Sequence, residues 1–493
     1  MLRYPPALLL LLFCFCVKAQ VSDSLQLKNY TEKELYKDYD LLINSLKEAH
    51  TGLYWYNSKM AFNHFARTQR AQIRPGMTGL DLYRIIAPVV SFTKEGHTSL
   101  KLSQAVQDYL RVSALYLPAF IKIIHGRLYL INDLPGAETR GCELLGINGL
   151  KANNLLRRFM SYEPSDGYNV TGKYRWIEEG AKFNLYYARC YPKVKSFTFR
   201  YRRQDGTVEQ LAGIPPLSFT ELRHNYTAAL KTIPNSIVSI PASLTIDSGE
   251  HTAVLSFNTF QKRRYTTAKM DFKAFVQQSF SRISASRVNN LIIDIRRNGG
   301  GTEGYEDYLL SFMISKDYVK YETVQASAFH YSFYSDTDYR NGWLGLDSAL
   351  KAEHYLAGDG RILRKPGIEE HEKPQPAPYT GRIFVLTSGL TYSGGSEFGS
   401  LMRNYTPAVF IGEETGGGYY GNTSGYRISL QLPNTGLEIS IPILKFVVST
   451  PKKGNPVGRG VMPDLAVEPT IRQYLEGVDP ELGTAKKLSA EKH

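Results

Sequence analysis

"RIFVLTSGLTYSGGSEF", residues 382–398, joins an apolar run to a cluster of small residues. The first half predicts a buried strand, and the second half predicts the start of a helix. Ser393 lies at the turn between them, where Gly394 and Gly395 leave room for a substrate carbonyl to approach backbone amides. The free N–H groups at a helix start also favour a developing oxyanion. Ser393 is therefore either a nucleophile or only a helix N-cap.

A second glycine-rich loop, "DIRRNGGG" at residues 294–301, follows the apolar strand "NLII". The carboxyl ends of parallel strands lie at one edge of a sheet, where the active sites of α/β proteins cluster. The backbone N–H of Gly300 or Gly301 is thus placed to donate to an oxyanion. No Lys-Ser/Thr pair follows, so the loop is not a phosphate-binding P-loop. Ordinary turns also use glycine freely, so the triplet alone does not define a site.

The rest of the chain indicates the fold class. From about residue 250, apolar runs such as "TAVLSF" alternate with helical patterns such as "FKAFVQQSFSRI", which predicts an α/β layer with a parallel sheet. "RISLQLP" and "LEISIPILKFVV" predict a closing β-ribbon. Upstream, "TEKELYKDYDLLINSLKEAH" predicts a helix, and Thr31 with Glu34 fits a capping box. An α/β (α+β) multidomain protein is expected, with a signal peptide at 1–19, a helical domain at 20–105, a β-rich region at 106–245, an α/β core at 246–475 and a tail at 476–493.

The amino-terminal segment has the pattern of a secretory signal. Arg3 precedes an apolar run from Ala7 to Val17, and small residues near its end suit a signal peptidase. The run is shorter than the about 20 residues that span a bilayer, so no stable membrane span is expected. Cys14 and Cys16 each follow a bulky Phe, which disfavours lipoprotein processing but leaves it as an alternative. We expect an exported protein, periplasmic or extracellular, with an association with the outer envelope left open.

Composition disfavours several other classes of function. The formal net charge of +13 falls to +11 when Arg3 and Lys18 leave with the signal, because two positive charges are removed. The basic residues are dispersed, so we expect a solvated surface and no nucleic-acid partner. Cys142 and Cys190 have no nearby Cys or His at zinc-ligand spacing and form either one bridge or two free thiols. No metal and no organic cofactor are expected.

A serine nucleophile needs a base, and two histidines are candidates. His97 in "TKEGHTSL" lies in a tight Gly-containing loop at the border of the helical segment. His50 in "KEAHTGLYWY" is the rival. A lone loop histidine is more often structural than catalytic, but the combination with Ser393 and the glycine loop favours His97.

Taken together, these motifs resemble the serine peptidase family that includes the C-terminal processing (tail-specific) proteases and the tricorn core protease. The family's D-L-R-x-N-x-G-G strand end is matched by Asp294, Ile295, Arg296, Asn298, Gly300 and Gly301. Its T-x-S motif followed by small residues is matched by Thr391, Ser393, Gly394 and Gly395. Its G-E-x-T-x-G and G-V-x-P-D motifs are matched at 412–417 and 460–464, in the family's order. The histidine loop of secreted bacterial members is similar to Gly96, His97 and Thr98.

The resemblance implies a fold and a chemistry. The implied fold is a mixed α/β peptidase core of the ClpP/crotonase-like type after a helical domain. A PDZ-like module is implied at about 106–170, where "GCELLGINGL" resembles the end of a PDZ domain. Ser393 would attack a peptide carbonyl, His97 would act as the general base, and Gly394 and Gly300 would form the oxyanion hole. The implied partner is a peptide or protein substrate.

Two departures from the family pattern qualify this inference. The lysine that serves as base in the processing proteases is replaced by Gly418, so a serine-lysine dyad is not expected. Residues 455–458, before "RGVMPD", include no acidic residue that would support the histidine, so the partners of His97 stay open. A catalytically inactive peptide-binding protein and an esterase on the same fold are the alternatives to a peptidase.

Overall fold

The computed structural model describes residues 25–368, 371–450 and 454–491. The predicted signal at 1–19 lies outside the described residues. Within these ranges no helix is long and apolar enough to cross a membrane. The chain is a mixed α/β protein, as predicted, and most of its elements share one continuous hydrophobic core.

The first elements are mainly helical. They are α1 (Glu32–Ala49), α2 (Lys59–Arg70), α3 (Gly79–Phe92) and β1 (Ser99–Lys101). The predicted capping box is present at α1, because the Thr31 hydroxyl accepts from the Glu34 N–H and the Glu34 carboxylate accepts from the Thr31 N–H at 2.8 Å. Thr78 and Asp81 form a second capping box at α3. These caps satisfy amides at both helix starts and stabilise the helices that precede the His97 loop.

The middle of the chain folds as an antiparallel sheet covered by helices. Its elements are α4 (Gln104–Ser113), β2 (Ile121–Ile124), β3 (Arg127–Leu130), β4 (Glu143–Ile147), β5 (Leu150–Lys151), α5 (Ala152–Met160), α6 (Thr171–Glu178), α7 (Lys182–Cys190), β6 (Phe197–Arg202), β7 (Val208–Ile214) and α8 (Phe219–Lys231). The sheet has the order β2-β3-β4-β6-β7, with β5 paired to β4.

This region contains more helix than the predicted β-rich pattern implied. The helix α6 shows why, since it buries Gly172, Arg175 and Ile177 rather than a regular apolar stripe, and its sequence therefore lacks the usual helical signal. The sheet also extends beyond residue 170, where the predicted PDZ-like module ends. Strands β6 and β7 complete the same sheet, so a module ending at residue 170 would divide it.

The remaining elements form the core and its attachments. They are β8 (Ala242–Asp247), β9 (Thr252–Phe257), α9 (Lys262–Thr267), α10 (Phe272–Ala285), β10 (Asn290–Asp294), α11 (Tyr305–Leu310), β11 (Tyr318–Val319), β12 (Tyr321–Ala326), α12 (Trp343–Glu353), β13 (His354–Leu356), β14 (Ile362–Arg364), β15 (His371–Glu372), β16 (Arg382–Thr387), α13 (Gly394–Tyr405), β17 (Val409–Gly412), β18 (Gly421–Asn422), β19 (Arg427–Gln431), β20 (Glu438–Pro442), β21 (Leu444–Val448), β22 (Leu465–Ala466), α14 (Ile471–Glu476) and α15 (Pro480–Ala490).

The central sheet has the order β22-β17-β16-β10-β9-β8. Its neighbouring strands are parallel except for β8, which pairs antiparallel with β9, so the predicted parallel sheet is confirmed. Asp294 at the end of β10 lies opposite Leu386 near the end of β16. The two glycine-containing loops that follow these strands are therefore neighbours at the carboxyl edge of the sheet.

A small sheet attaches the helical segment to the core. Its order is β1-β20-β19, and β19 with β20 is the predicted ribbon. Ser99 of β1 lies opposite Ser440 of β20. Because β1 starts two residues after His97, this pairing holds the His97 loop against the core.

The predicted C-terminal tail is part of the fold. Leu482, Ala485 and Leu488 recur every three residues along α15 and pack with the central sheet as a second hydrophobic cluster. Ala485 is 0% exposed. Polar residues lie between these positions, so the sequence analysis did not recognise the apolar stripe.

Candidate active site

Ser393 occupies the turn between β16 and α13 in an unusual backbone conformation. Its φ of 53° and ψ of −130° lie in a region that non-glycine residues rarely adopt, and such strain is concentrated at functional sites. Ser393 holds the N-cap position of α13, but its side chain makes no capping hydrogen bond. Its Oγ instead lies 3.2 Å from Nε2 of His97. The helix-cap interpretation is therefore wrong for the side chain.

The turn is held by the neighbouring glycine-rich loop. The Thr391 hydroxyl donates to the Ile295 carbonyl at 2.9 Å, and the Tyr392 N–H donates to the Asn298 carbonyl at 3.0 Å. A Cβ on Gly395 would lie 2.2 Å from the Asn298 carbonyl oxygen, so this position requires glycine. Ser396, the other serine of the motif, is buried and donates to the Thr391 carbonyl at 2.7 Å. Ser396 is thus engaged in the turn.

His97 is half-buried between the helical segment and the core. Removal from water and, to a smaller extent, the positive charge of Arg427 lower the pKa of His97 to about 4. The imidazole is therefore neutral at neutral pH, with one ring nitrogen able to accept a proton. The structure brings His97 and Ser393 together, although 296 positions separate them in the chain.

Two further residues, which the sequence analysis missed, contact the site. The Tyr392 hydroxyl lies 3.0 Å from Nδ1 of His97, and its ring lies tilted beside the imidazole. Burial and the nearby charge of Asp166, in the middle region, raise the pKa of Tyr392 well above its usual range. Asp166 is 1% exposed and accepts from the N–H groups of Gly96 at 2.8 Å and Gly418 at 3.0 Å. Tyr392 directly precedes Ser393, so its position in the motif was a signal for it, whereas nothing in "EPSDGYN" points to Asp166.

The predicted oxyanion donors differ in the hydrogen bonds they make. The Gly300 N–H donates to Asn298 Oδ1 at 2.9 Å, so in this structure it does not point to a substrate oxygen. The Gly394 N–H has no hydrogen-bond partner among the described residues. A Cβ on Gly300 would lie 2.8 Å from Cβ of Ser393. Gly300 therefore permits close approach of the two loops, and Gly394 is the better placed donor.

The remaining motif residues stabilise the sheet edge. Arg296 binds Asp294 through two hydrogen bonds of 3.0 and 2.7 Å and also binds Asp479 at the start of α15. Asn298 is buried, and besides accepting from Gly300 it has an amide nitrogen without a partner in the described part of the chain. Gly301 has a φ of 153°, and a Cβ there would lie 2.3 Å from Gln261 N. These residues shape the loop rather than contact Ser393 chemically.

Neither cysteine chemistry nor a metal centre is apparent in the part of the chain that the structure describes. Cys142 and Cys190 are free thiols rather than a bridge. No group of three or more His, Cys, Asp and Glu side chains in those ranges is arranged to hold a metal ion. The candidate active site consists of a serine, a histidine and their hydrogen-bonded neighbours.

A serine and a histidine in contact at the carboxyl edge of an α/β sheet are an arrangement that serine hydrolases use. Residues 251–467 match the model of peptidase family S41. The α/β core, which contains these residues, is therefore that of a serine-type peptidase of family S41.

Solved structures of CPAF share the fold at low sequence identity, and a third match has a lower TM-score. Mature CPAF complexed with lactacystin gives a TM-score of 0.61 at 15% identity over 93% of this chain and 98% of that chain. Mature CPAF alone gives a TM-score of 0.59 at 15% identity over 93% and 97%. The photosystem II D1 C-terminal processing protease gives 0.41 at 12% identity over 94% and 97%.

Proposed function

We propose that this chain is an exported serine peptidase that hydrolyses peptide bonds through an acyl-enzyme intermediate. Ser393 is the nucleophile and His97 is its general base. The observation that carries the proposal is the 3.2 Å contact between Ser393 Oγ and His97 Nε2 beside the unpaired amide of Gly394. A nucleophile, a base within hydrogen-bond reach and an oxyanion donor are the parts that acyl transfer requires.

The chemistry follows from these positions. Ser393 Oγ bonds to the peptide carbonyl carbon while its proton moves to His97 Nε2, and the carbonyl oxygen becomes an oxyanion that accepts from the Gly394 N–H. The C–N bond then breaks, and the amine leaves with the proton from Nε2. Water attacks the remaining ester, gives a proton to Nε2 and displaces Ser393, which recovers that proton. The peptide has then been cleaved into an acid and an amine.

Peptide hydrolysis and active-site labelling by a fluorophosphonate test the proposal. We expect the wild-type protein to be labelled and to cleave peptides, and Ser393→Ala to lose both while staying folded. Ser400→Ala is a matched control, because Ser400 lies on the same helix, is buried and has an Oγ without a hydrogen-bond partner among the described residues. This control should keep labelling and turnover.

Two outcomes would contradict the proposal. A Ser393→Ala protein with wild-type turnover would exclude Ser393 as the nucleophile. A wild-type protein that binds peptides without labelling or cleavage would support the inactive binding protein, and cleavage of esters but of no peptide would support the esterase.

A further inference from the structure

We propose that Glu306, with its carboxyl group protonated, is a second donor to the oxyanion that forms beside Gly394. The inference rests on the proposed peptidase function and adds a catalytic residue to it. An oxyanion hole commonly uses two donors, and the Gly300 N–H donates to the Asn298 side chain instead of to a substrate.

Glu306 lies beside the turn that carries the nucleophile. It belongs to α11, which packs against α13. A Cβ on Gly394 would lie 3.6 Å from Oε2 of Glu306 and 3.6 Å from Cα of Gly300. Because residue 394 is a glycine, no side chain of its own separates its backbone from this carboxyl oxygen. The carboxyl group therefore borders the space beside Gly394 in which an oxyanion would form.

Glu306 shares one lysine with two other acidic residues. Glu306, Asp307 and Glu397 all contact the ammonium group of Lys320. The four residues are buried, and none of them is more than 5% exposed. One positive charge cannot balance three buried negative charges, and an uncompensated buried charge is costly. At least one of the three carboxyl groups therefore keeps a proton.

Hydrogen bonds show which two carboxyl groups are ionised. One oxygen of Asp307 accepts from the Tyr318 hydroxyl at 2.6 Å, and the other accepts from the shared lysine at 3.0 Å. One oxygen of Glu397 accepts from Asn422 Nδ2 at 2.7 Å, and the other accepts from the Tyr321 hydroxyl at 3.1 Å. Hydrogen bonds to both oxygens favour the charged form of a carboxyl group. Asp307 and Glu397 are therefore the ionised pair.

Glu306 accepts hydrogen bonds through only one of its oxygens. Oε1 accepts from Lys320 and from the Gly304 N–H at 3.3 Å, whereas Oε2 has no hydrogen-bond partner among the described residues. Burial raises the pKa of Glu306 to about 7, with Lys320 opposing the rise and the two neighbouring carboxylates adding to it. The proton of the neutral acid is therefore on Oε2, the oxygen near Gly394.

A neutral carboxylic acid has one O–H donor, and a buried acid that stays neutral can donate to an oxyanion. When Ser393 attacks, the carbonyl oxygen accepts from the Gly394 N–H and from the Glu306 O–H. The proton stays on Glu306, so this residue stabilises the charge without exchanging a proton. An ionised Glu306 would instead repel the oxyanion, and turnover therefore requires the protonated form.

The pH dependence of kcat tests this role. We expect the kcat of the wild type to fall as pH rises through about 7, because Glu306 loses its proton. In Glu306→Gln the amide nitrogen donates at every pH, so this fall should be absent and kcat should approach the value of the wild type below pH 7. Glu306→Met keeps the length of the side chain without a donor. It should lower kcat about 10²-fold with little change in KM.

Infrared spectroscopy of the resting protein detects the neutral carboxyl group without any turnover. We expect the difference spectrum between the wild type and Glu306→Gln below pH 7 to contain the C=O band of a carboxylic acid. Asp347→Asn is the matched control, because Asp347 is also 5% exposed but lies on α12 and accepts from the Tyr334 hydroxyl at 2.8 Å. This control should lose stability but keep the kcat and the pH dependence of the wild type.

Distinct results would overturn the inference or the proposed function. Wild-type kcat in folded Glu306→Met, or an unchanged alkaline fall of kcat in Glu306→Gln, would overturn the inference while Ser393 remained the nucleophile. A difference spectrum without the carboxylic acid band would do the same. So would a rise in KM of Glu306→Gln confined to peptides with basic side chains, since it would indicate an ionised carboxylate that binds substrate. Activity of Ser393→Ala would instead overturn the proposed function itself.

Discussion

His50 and His97 have similar pKa values but different hydrogen-bond partners. Burial lowers the pKa of both to about 4. His50 ends α1 and is 4% exposed, and its Nε2 lies 2.7 Å from Thr98 Oγ1. Its Nδ1 has no hydrogen-bond partner in the described ranges. His97 contacts Ser393 through one ring nitrogen and Tyr392 through the other.

The comparison shows that a shifted pKa does not by itself identify a catalytic histidine. Both side chains are neutral at neutral pH for the same reason, which is loss of hydration. The difference is that the His97 ring lies between the hydroxyls of Ser393 and Tyr392, whereas the His50 ring contacts Thr98. His50 therefore helps to hold Thr98, the residue that directly follows His97.

Removal of the His97 imidazole should give the largest effect. We expect His97→Ala to lower kcat/KM by about 10⁴-fold or more, close to the loss in Ser393→Ala, because the two residues act as one unit. The double variant should be little worse than either single variant. Peptide hydrolysis by the three purified proteins measures this, and an active His97→Ala would place the base elsewhere.

The pH dependence should distinguish this base from an ordinary one. His97 acts as a base only when neutral, so kcat/KM should rise with pH through the low pKa of His97, which is about 4. The rise should be complete below the unperturbed histidine value of about 6.5. A pH profile of kcat/KM checks this, and a rise centred above that value would contradict the buried neutral base.

His50→Ala should affect stability rather than chemistry. We expect a loss of about 1–3 kcal/mol in the free energy of unfolding at pH 7, from the lost hydrogen bond and the cavity, and kcat within a few-fold of the wild type. The difference in stability should shrink as pH falls from 6.5 towards 4, because only wild-type His50 must stay neutral on folding while the unfolded chain binds a proton. Denaturant unfolding at several pH values measures this. A kcat as low as that of His97→Ala would invalidate the contrast.

The smallest effect is expected for Lys445→Met. Burial lowers the pKa of Lys445, so this amine is the alternative base to test. Its Nζ lies over the Trp55 ring, 5.4 Å from the ring centre, and in the described part of the chain it is not hydrogen-bonded to Ser393. Methionine keeps most of the apolar stem, so turnover should stay within a few-fold of the wild type. Steady-state kinetics decide the point, since a loss as large as that in Ser393→Ala would indicate a lysine base.

Several features were predictable because they depend on local order. The strand, turn and helix around Ser393 follow from an apolar run that meets small residues, and the parallel sheet follows from the alternation of strands and helices. Two parallel strands end at the same sheet edge, so the approach of the 294–301 loop to Ser393 follows from these elements as well. The sequence could not predict that the Gly300 N–H donates to the Asn298 side chain, because the orientation of a backbone amide depends on such contacts.

By itself the sequence determined the elements, the order of the motifs and the serine and histidine worth testing, since these depend on neighbours a few positions apart. The tertiary structure decided which histidine meets the serine and which groups orient it. His97 is brought to Ser393 by the pairing of β1 with β20, and Asp166 binds the Gly96 N–H beside His97 from a helix-rich region that shows no motif. Such contacts join segments hundreds of positions apart and depend on the direction of single hydrogen bonds. The local spacing of apolar residues therefore does not predict these long-range contacts.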